Sequence, residues 1–276
     1  MSLPRVAVVG HVEWTTIARF TRVPVAGEVI HADVTWEGPA GGGGVAAVAL
    51  ARLAGGCSFF TSLGDDDAGR CAQEQLQSQG VQVLAGPRRG RTRLATSLID
   101  SSGERTTTTY GPRPEPVAAD PLPWADLPAY DAVFFVSGDV AAMRAARAAR
   151  TLVVTSREFA TVVRAGITLD ALVGSLHDPA ERYDLTLIPS PALAVGTDGA
   201  NGGEFTVRGR PAGRYRATEP PGPTADLYGV GDTFAAALTY ALGAGMDTAA
   251  ALSFAAGSGS DCTTCVGPFP IAVPVA

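Results

Sequence analysis

The chain holds 276 residues, 46% of them hydrophobic and 17% charged, a balance that supports a large packed core and excludes disordered and fibrous classes. Its formal net charge is −6, so a nucleic-acid-binding role, which needs a basic face, is not expected. All 21 basic residues are Arg and there is no Lys, so any phosphate-binding cation must be Arg, a metal ion or a helix N-terminus.

No apolar run approaches the roughly 18 residues of a membrane span, so no membrane partner is expected. The apolar start, Val6 to Val9, is too short for a secretory signal, and the expected location is the cytoplasm. Of Cys57, Cys71, Cys262 and Cys265, only the last two form a Cys-x-x-Cys, and His11, His31 and His177 are scattered. The thiols read as core or incidental groups, not as a zinc set.

In chain order, Arg5–Val9 is predicted as a short buried strand ending at Gly10. Residues 12–37 alternate apolar and polar, which predicts strands with one open face and a turn at Pro24 and Gly27. Gly41 to Gly44 open an apolar helix over Val45–Ala54, and Cys57–Ser62 is the next strand. Asp67 is the expected cap of a helix reaching Gly80, followed by a strand over Val81–Leu84. Arg88, Arg89, Arg91 and Arg93 read as a solvated loop, and residues 92–110 as a hairpin around Asp100–Gly103. Residues 112–128 are proline-rich and expected to be irregular. Strand and helix then alternate: Ala132–Val136, the helix Ala141–Arg150, and Leu152–Thr155. Short elements follow at Leu169–Ser175, Leu185–Ile188 and Ala192–Gly196, and helices at Thr233–Leu242 and Thr248–Ala256 close the chain. This order predicts a mostly parallel sheet with helices on both faces. The two open-faced segments form a separate small sheet, a lid whose free edges could pair across a homodimer.

Two segments could carry chemistry. In Asp226-Leu-Tyr-Gly229-Val230-Gly231-Asp232 the glycines free the backbone immediately before an apolar helix. The peptide N–H groups of 229–232 would then face an anion, with a carboxylate at the mouth to accept a proton. A plain loop with an N-cap Asp is the competing reading. The Gly41–Gly44 run suits a phosphate or a polyol, or else a small-residue packing helix.

Ala40-Gly-Gly-Gly-Gly-Val-Ala-Ala-Val-Ala-Leu-Ala-Arg-Leu53 and Asp226 through Phe234 resemble the two signatures of the ribokinase, or PfkB, family of carbohydrate kinases. Pro24–Glu28, Gly64–Gly69, Gly80-Val81, Asp178-Pro-Ala-Glu181 and Thr197–Gly203 fall between them in the family's order. The resemblance implies a single ribokinase-like α/β domain over residues 1–276, a three-layer α/β/α sandwich with lid segments at about 12–37 and 91–111. It implies transfer of the γ-phosphoryl of ATP to a hydroxyl of a sugar, or of a sugar-containing molecule such as a nucleoside. Asp232 matches the general base, and Gly229, Val230 and Gly231 the anion hole. Thr197, Gly199, Gly202 and Asp226 match nucleotide-binding positions, and Asp178 and Glu181 the motif that helps hold Mg²⁺. Glu13, Thr15, Gly41, Gly42 and Val45 match the acceptor side, and a monovalent cation is a further cofactor to expect.

The acceptor side departs from the family pattern. Val45 stands for its Asn, Gly42 for its Lys or Ala, and Thr15 for its sugar-binding Asp, with Glu13 two residues earlier. With Trp14 and Trp36 nearby, the expectation is a flatter acceptor, such as a nucleoside, over free ribose. The helix N-terminus is expected to lower the pKa of Asp232. Two other classes stay open: a weakly catalytic sugar or nucleotide sensor, and a dinucleotide-binding oxidoreductase. The latter rests on the glycine run and Gly64-Asp65 downstream, although the preceding hairpins argue against it.

Overall fold

The computed structural model of the protein describes residues 3–87, 90–103, 105–183 and 186–270. Arg88, Arg89 and Leu185, named above, lie outside the described residues. The elements run β1 (Val6–Val9), β2 (Glu13–Arg19), β3 (Val34–Ala40), α1 (Gly41–Ala54), β4 (Cys57–Leu63), α2 (Asp67–Ser78) and β5 (Val81–Pro87). Next come β6 (Leu94–Ile99), β7 (Arg105–Tyr110), β8 (Ala132–Phe135), α3 (Val140–Ala146), β9 (Thr151–Thr155), α4 (Phe159–Ala165) and β10 (Ala171–Ser175). β11 (Leu193–Thr197), β12 (Gly203–Val207), β13 (Arg210–Tyr215), α5 (Val230–Gly243) and α6 (Thr248–Cys262) complete the chain.

A nine-stranded sheet in the order β13-β12-β11-β10-β9-β8-β1-β4-β5 forms the centre. It is parallel from β5 to β11, and β12 and β13 add an antiparallel edge. Successive residues of a strand face opposite sides, and β1 shows why both sides are covered. Val6 and Val8 pack into one apolar cluster with α1, α2, α5 and α6, while Ala7 and Val9 pack into a second with α3 and α4. Because the parallel strands share a direction, the segments after β1, β8, β9, β10 and β11 emerge along one edge. That edge is where an open α/β sheet binds ligands.

The second sheet, β3-β2-β6-β7, has one covered face. Thr15 and Ile17 of β2 are fully buried, whereas every residue of β7 is exposed. The predicted hairpin between residues 12 and 37 is looser than expected: β2 and β3 pair from Glu13↔Ala40 to Arg19↔Val34, so residues 20–33 form the connection.

Several boundaries differ from the sequence reading. Gly41–Gly44 are the first turn of α1 itself, Asp66 and not Asp67 caps α2, and α5 begins at Val230, so Gly231 and Asp232 are helical. Residues 186–188 carry no regular structure, while α4, β12 and β13 were not anticipated. No described helix is long and apolar enough to cross a membrane.

Candidate active site

The first turns of α1 and α5 meet below the carboxyl edge of the sheet. α5 starts from Gly229, whose φ of 79° is left-handed, and a Cβ there would come within 2.7 Å of Pro268 Cβ and 3.0 Å of Val45 Cγ1. The buried Asp226 carboxylate fixes this turn by accepting from Tyr228 N at 2.7 Å and Gly267 N at 2.6 Å. On the other side, a Cβ on Gly42 would lie 2.9 Å from Asp232 Oδ1 and 3.0 Å from Val136 Cγ1. Glycine at 42 is what lets the Asp232 carboxylate stand against the start of α1.

Asp232 is half-buried at this junction. Desolvation raises its carboxyl to about 6, against the pull of Arg105 and Arg157 and with added push from Glu181 and Glu13. The shift is opposite in direction to the lowering expected from the helix N-terminus, with removal of water its largest cause. A carboxylate of this kind is a better base than an ordinary Asp and is still largely ionised at neutral pH.

The opposite wall comes from β1, β2 and the β6 approach. His11 Nδ1 lies 3.0 Å from Ser137 Oγ, and burial, with the charges of Arg113, Arg93 and Arg157, drops the imidazole to about 3, so it is neutral. Glu13 is buried 3.3 Å from Arg93 Nε; desolvation raises its carboxyl, and Arg93 and Arg113 oppose that rise. The positions expected to bind the nucleotide fall on a neighbouring part of the edge. Gly199 and Gly202, with φ of 55° and 81°, shape the turn after β11, and Thr197 ends that strand.

Comparison with known proteins bears on what this site does. Residues 3–165 match the model of the pfkB family of carbohydrate kinases. The chain belongs to that family. An ATP-dependent ribose-1-phosphate kinase from Halopiger xanaduensis is 40% identical over 106 residues, a stretch that spans 36% of this chain and only 34% of that relative. The fold is that of an adenosine kinase from Sinorhizobium meliloti (TM-score 0.79, 21% identity, 98% of this chain and 97% of that one). It is also that of an Arabidopsis thaliana ribokinase solved with ribose and ATP (TM-score 0.71, 20% identity, 97% and 94%). The kinase family and the three-layer fold stand as the resemblance implied.

For this pfkB chain, not every expected position faces the cleft. Asp232, Gly42, Gly41 and the Gly229–Gly231 turn come together, with Glu13 on the facing wall. Asp226 does not join them: it is 0% exposed and both its oxygens are engaged, so it offers nothing to a nucleotide. Val45 is 1% exposed beneath Gly229 and presents almost no surface to an acceptor. Thr15 is fully buried beside Tyr228. Trp36 is buried edge-on against Phe269 and donates to its carbonyl at 3.0 Å. Trp14 shares a row with Leu94 and Tyr110, which are exposed, and so lies on the face of β2 opposite Glu13. The aromatic wall inferred for the acceptor pocket is therefore not formed.

The Mg²⁺ motif also differs from expectation. Glu181 Oε1 lies 2.6 Å from Arg157 Nε and its Oε2 accepts from Ser175 N at 2.8 Å. Asp178 Oδ2 accepts from Arg157 Nη2 and its Oδ1 from Ala180 N at 2.9 Å. All four carboxylate oxygens have partners, and the described residues contain no group of three or more acidic, His or Cys side chains able to hold a metal. As placed, these residues do not fit a protein-held Mg²⁺.

The sequence reading missed His11, Ser137, Tyr228, Arg105 and Arg157. Tyr228 sits under the guanidinium of Arg105, 5.5 Å from its ring, and Arg105 Nη1 donates to Leu227 O at 3.2 Å, tying β7 to the turn before α5. The Arg cluster was read as solvated surface, yet Arg93 is ion-paired to Glu13 in the cleft wall. A usable signal existed: His11, Ser137 and Arg157 each follow the end of a buried strand. The four thiols are free, and burial pushes that of Cys262 up to about 12.

Proposed function

We propose that the protein moves the γ-phosphoryl group of ATP onto a hydroxyl of a sugar or sugar-containing small molecule. The observation that carries this reading is Asp232: a carboxyl near pKa 6, in the first turn of a glycine-started helix and in reach of a second. In such a transfer Asp232 takes the proton of the acceptor hydroxyl. The N–H groups at the start of α5 receive the charge that spreads over the phosphoryl oxygens. ATP is the donor in this reading, and Mg²⁺ would arrive on the nucleotide's phosphates, as it commonly does.

One observation favours an acceptor that already carries a phosphate. Arg93 stands in the acceptor wall 3.3 Å from Glu13, and Arg113, itself ion-paired to Glu115 and Glu158, is near enough for its charge to act on His11 and Glu13. The partial likeness to a ribose-1-phosphate kinase agrees with that chemistry. The deciding experiment measures acceptor-dependent ADP release over pentoses, hexoses, nucleosides and sugar phosphates. A sugar phosphate should give the highest kcat/KM. ATP binding with no release for any acceptor would leave the sensor reading instead.

A further inference from the structure

The pair of carboxylates after β10 is held by a cation of the chain itself. Arg157, just past the end of β9, spans both: its Nε lies 2.6 Å from Glu181 and its Nη2 donates to Asp178. The clasp is built into the backbone. Ser156 Oγ donates to Glu181 O at 2.5 Å. A Cβ on Gly174 would lie 1.9 Å from that hydroxyl and 2.5 Å from that carbonyl. Only glycine at 174 lets the two loops close and bring Arg157 to Glu181. The Arg157 side chain is nonetheless 48% exposed, and its charge is felt both at His11 and at Asp232. Its charge is thus within electrostatic reach of both the acceptor wall and the base, in a chain with no Lys.

We propose that Arg157 is a catalytic residue that donates hydrogen bonds to the phosphoryl group in transfer, and that Asp178 and Glu181 are its positioning partners. This rests on the kinase reading above. As the acceptor oxygen bonds to phosphorus, its proton passes to Asp232, and the bond to the bridging oxygen breaks with its electron pair leaving on ADP. Arg157 gives up no proton. The loose transition state carries charge on its equatorial oxygens, which the flat guanidinium fork matches and a point charge does not. Held in advance by two carboxylates, the fork needs little rearrangement at the moment of transfer.

The test compares the unaltered protein with Arg157→Gln, Arg157→Lys and Glu181→Gln. Arg157→Gln should lower kcat by about 10²-fold or more, with the acceptor KM and the ADP affinity within about twofold. By calorimetry, affinity for aluminium fluoride in the presence of ADP and acceptor should fall at least about tenfold, since that mimic reproduces the phosphoryl in transfer. Arg157→Lys keeps a charge in the clasp and loses the fork; should the Gln variant not fold, a loss of aluminium fluoride affinity of about tenfold in the Lys variant supports the proposal equally, and an unchanged affinity overturns it. Glu181→Gln should lower kcat without moving the Mg²⁺ concentration needed for half-maximal nucleotide binding. Near-normal kcat in Arg157→Gln, or a lower Mg²⁺ requirement in it, would show that the guanidinium only fills a metal position, and would overturn the proposal alone. No ADP release by the unaltered protein would overturn the kinase reading and this inference with it.

Discussion

In the nine-stranded sheet, β1, β4 and β8 are buried along their whole length, whereas in the four-stranded sheet β7 is exposed at every position. The first sheet is a frame: its central strands are packed on both faces, and with α1 and α5 packed on one of them Gly42 and Asp232 meet. The second contributes charge from one side only. Its Glu13, and Arg93 just before β6, reach the cleft, and Arg105 ties its outer strand to the turn before α5. The groups proposed for phosphoryl chemistry therefore sit on the rigid part. Those proposed to face the acceptor sit largely on a sheet that reaches the cleft through few side chains, and substitution there is expected to change selectivity at little structural cost.

If the frame supplies the chemistry, the largest loss should come from its carboxylate. Asp232→Asn is expected to lower kcat by about 10²-fold or more while nucleotide affinity stays near normal. Single-turnover rates and ADP titration check the two halves separately. A variant with near-normal turnover would break the division of labour, because the base would then have to come from the other wall, where Glu13 is the candidate.

The second expected effect tests the meeting of the two helices. In Gly42→Ala the new methyl would lie within 2.9 Å of Asp232 Oδ1, so the carboxylate must move by several tenths of an ångström. Displacements of that order cost roughly tenfold in turnover. The pH–rate profile should shift as well, since the environment of Asp232 changes. A Gly42→Ala protein with unchanged kcat and profile would mean that the two helix starts are not coupled.

How much of this contrast was legible in the sequence depended on distance along the chain. The buried strands could be read because Val6–Val9 and Ala132–Val136 are unbroken apolar runs and Cys57–Ser62 carries Phe59-Phe60 at its centre, the pattern of strands covered on both faces. Gly229-Val-Gly231-Asp232 could be read because its four residues make their own local geometry. β12 and β13 could not: Gly203, Gly209 and Pro211 obscure any alternation, and only the pairing of β12 with β11 and of β13 with β12 orders them. Val45 was misplaced because a helix that is apolar all round does not reveal which face meets a ligand. The sign of the Asp232 shift was missed for a related reason. The dipole is local to α5, while the desolvation comes from elements far away in sequence. Arg157 was invisible because its clasp joins loops 21 residues apart or more.

That same desolvation predicts a stability effect smaller than the catalytic ones. The folded-state carboxyl of Asp232 is raised from 3.8 to about 6, so between those values the folded chain binds more protons than the unfolded one. Stability must then fall as pH rises through this window, and the cost is fully present above it. Asp232→Asn removes the titrating group. The variant should therefore be more stable than the parent at pH 7 to 8 by about 1–3 kcal/mol, and the gain should vanish near pH 4. Urea denaturation at both pH values measures it. A gain independent of pH would place its origin in packing instead.

The smallest expected effect concerns the outer face of the four-stranded sheet. Residues alternate along β2, so Glu13, Thr15 and Ile17 face inward and Trp14 and Thr16 do not. Trp14 donates to Glu37 Oε1 at 2.6 Å, an exposed contact across to β3. An exposed hydrogen bond of this kind contributes on the order of 1 kcal/mol. Trp14→Phe should therefore lower stability slightly and change the acceptor KM by less than about twofold. Glu13→Gln, one residue earlier and on the other face, should alter the KM by about tenfold or more, because it removes the charge that pairs with Arg93 inside the cleft. Measuring both variants against the same acceptor makes the comparison internal. If Trp14→Phe moved KM as far as Glu13→Gln did, both faces of the strand would have to reach the acceptor. The one-sided contribution of this sheet would then be wrong.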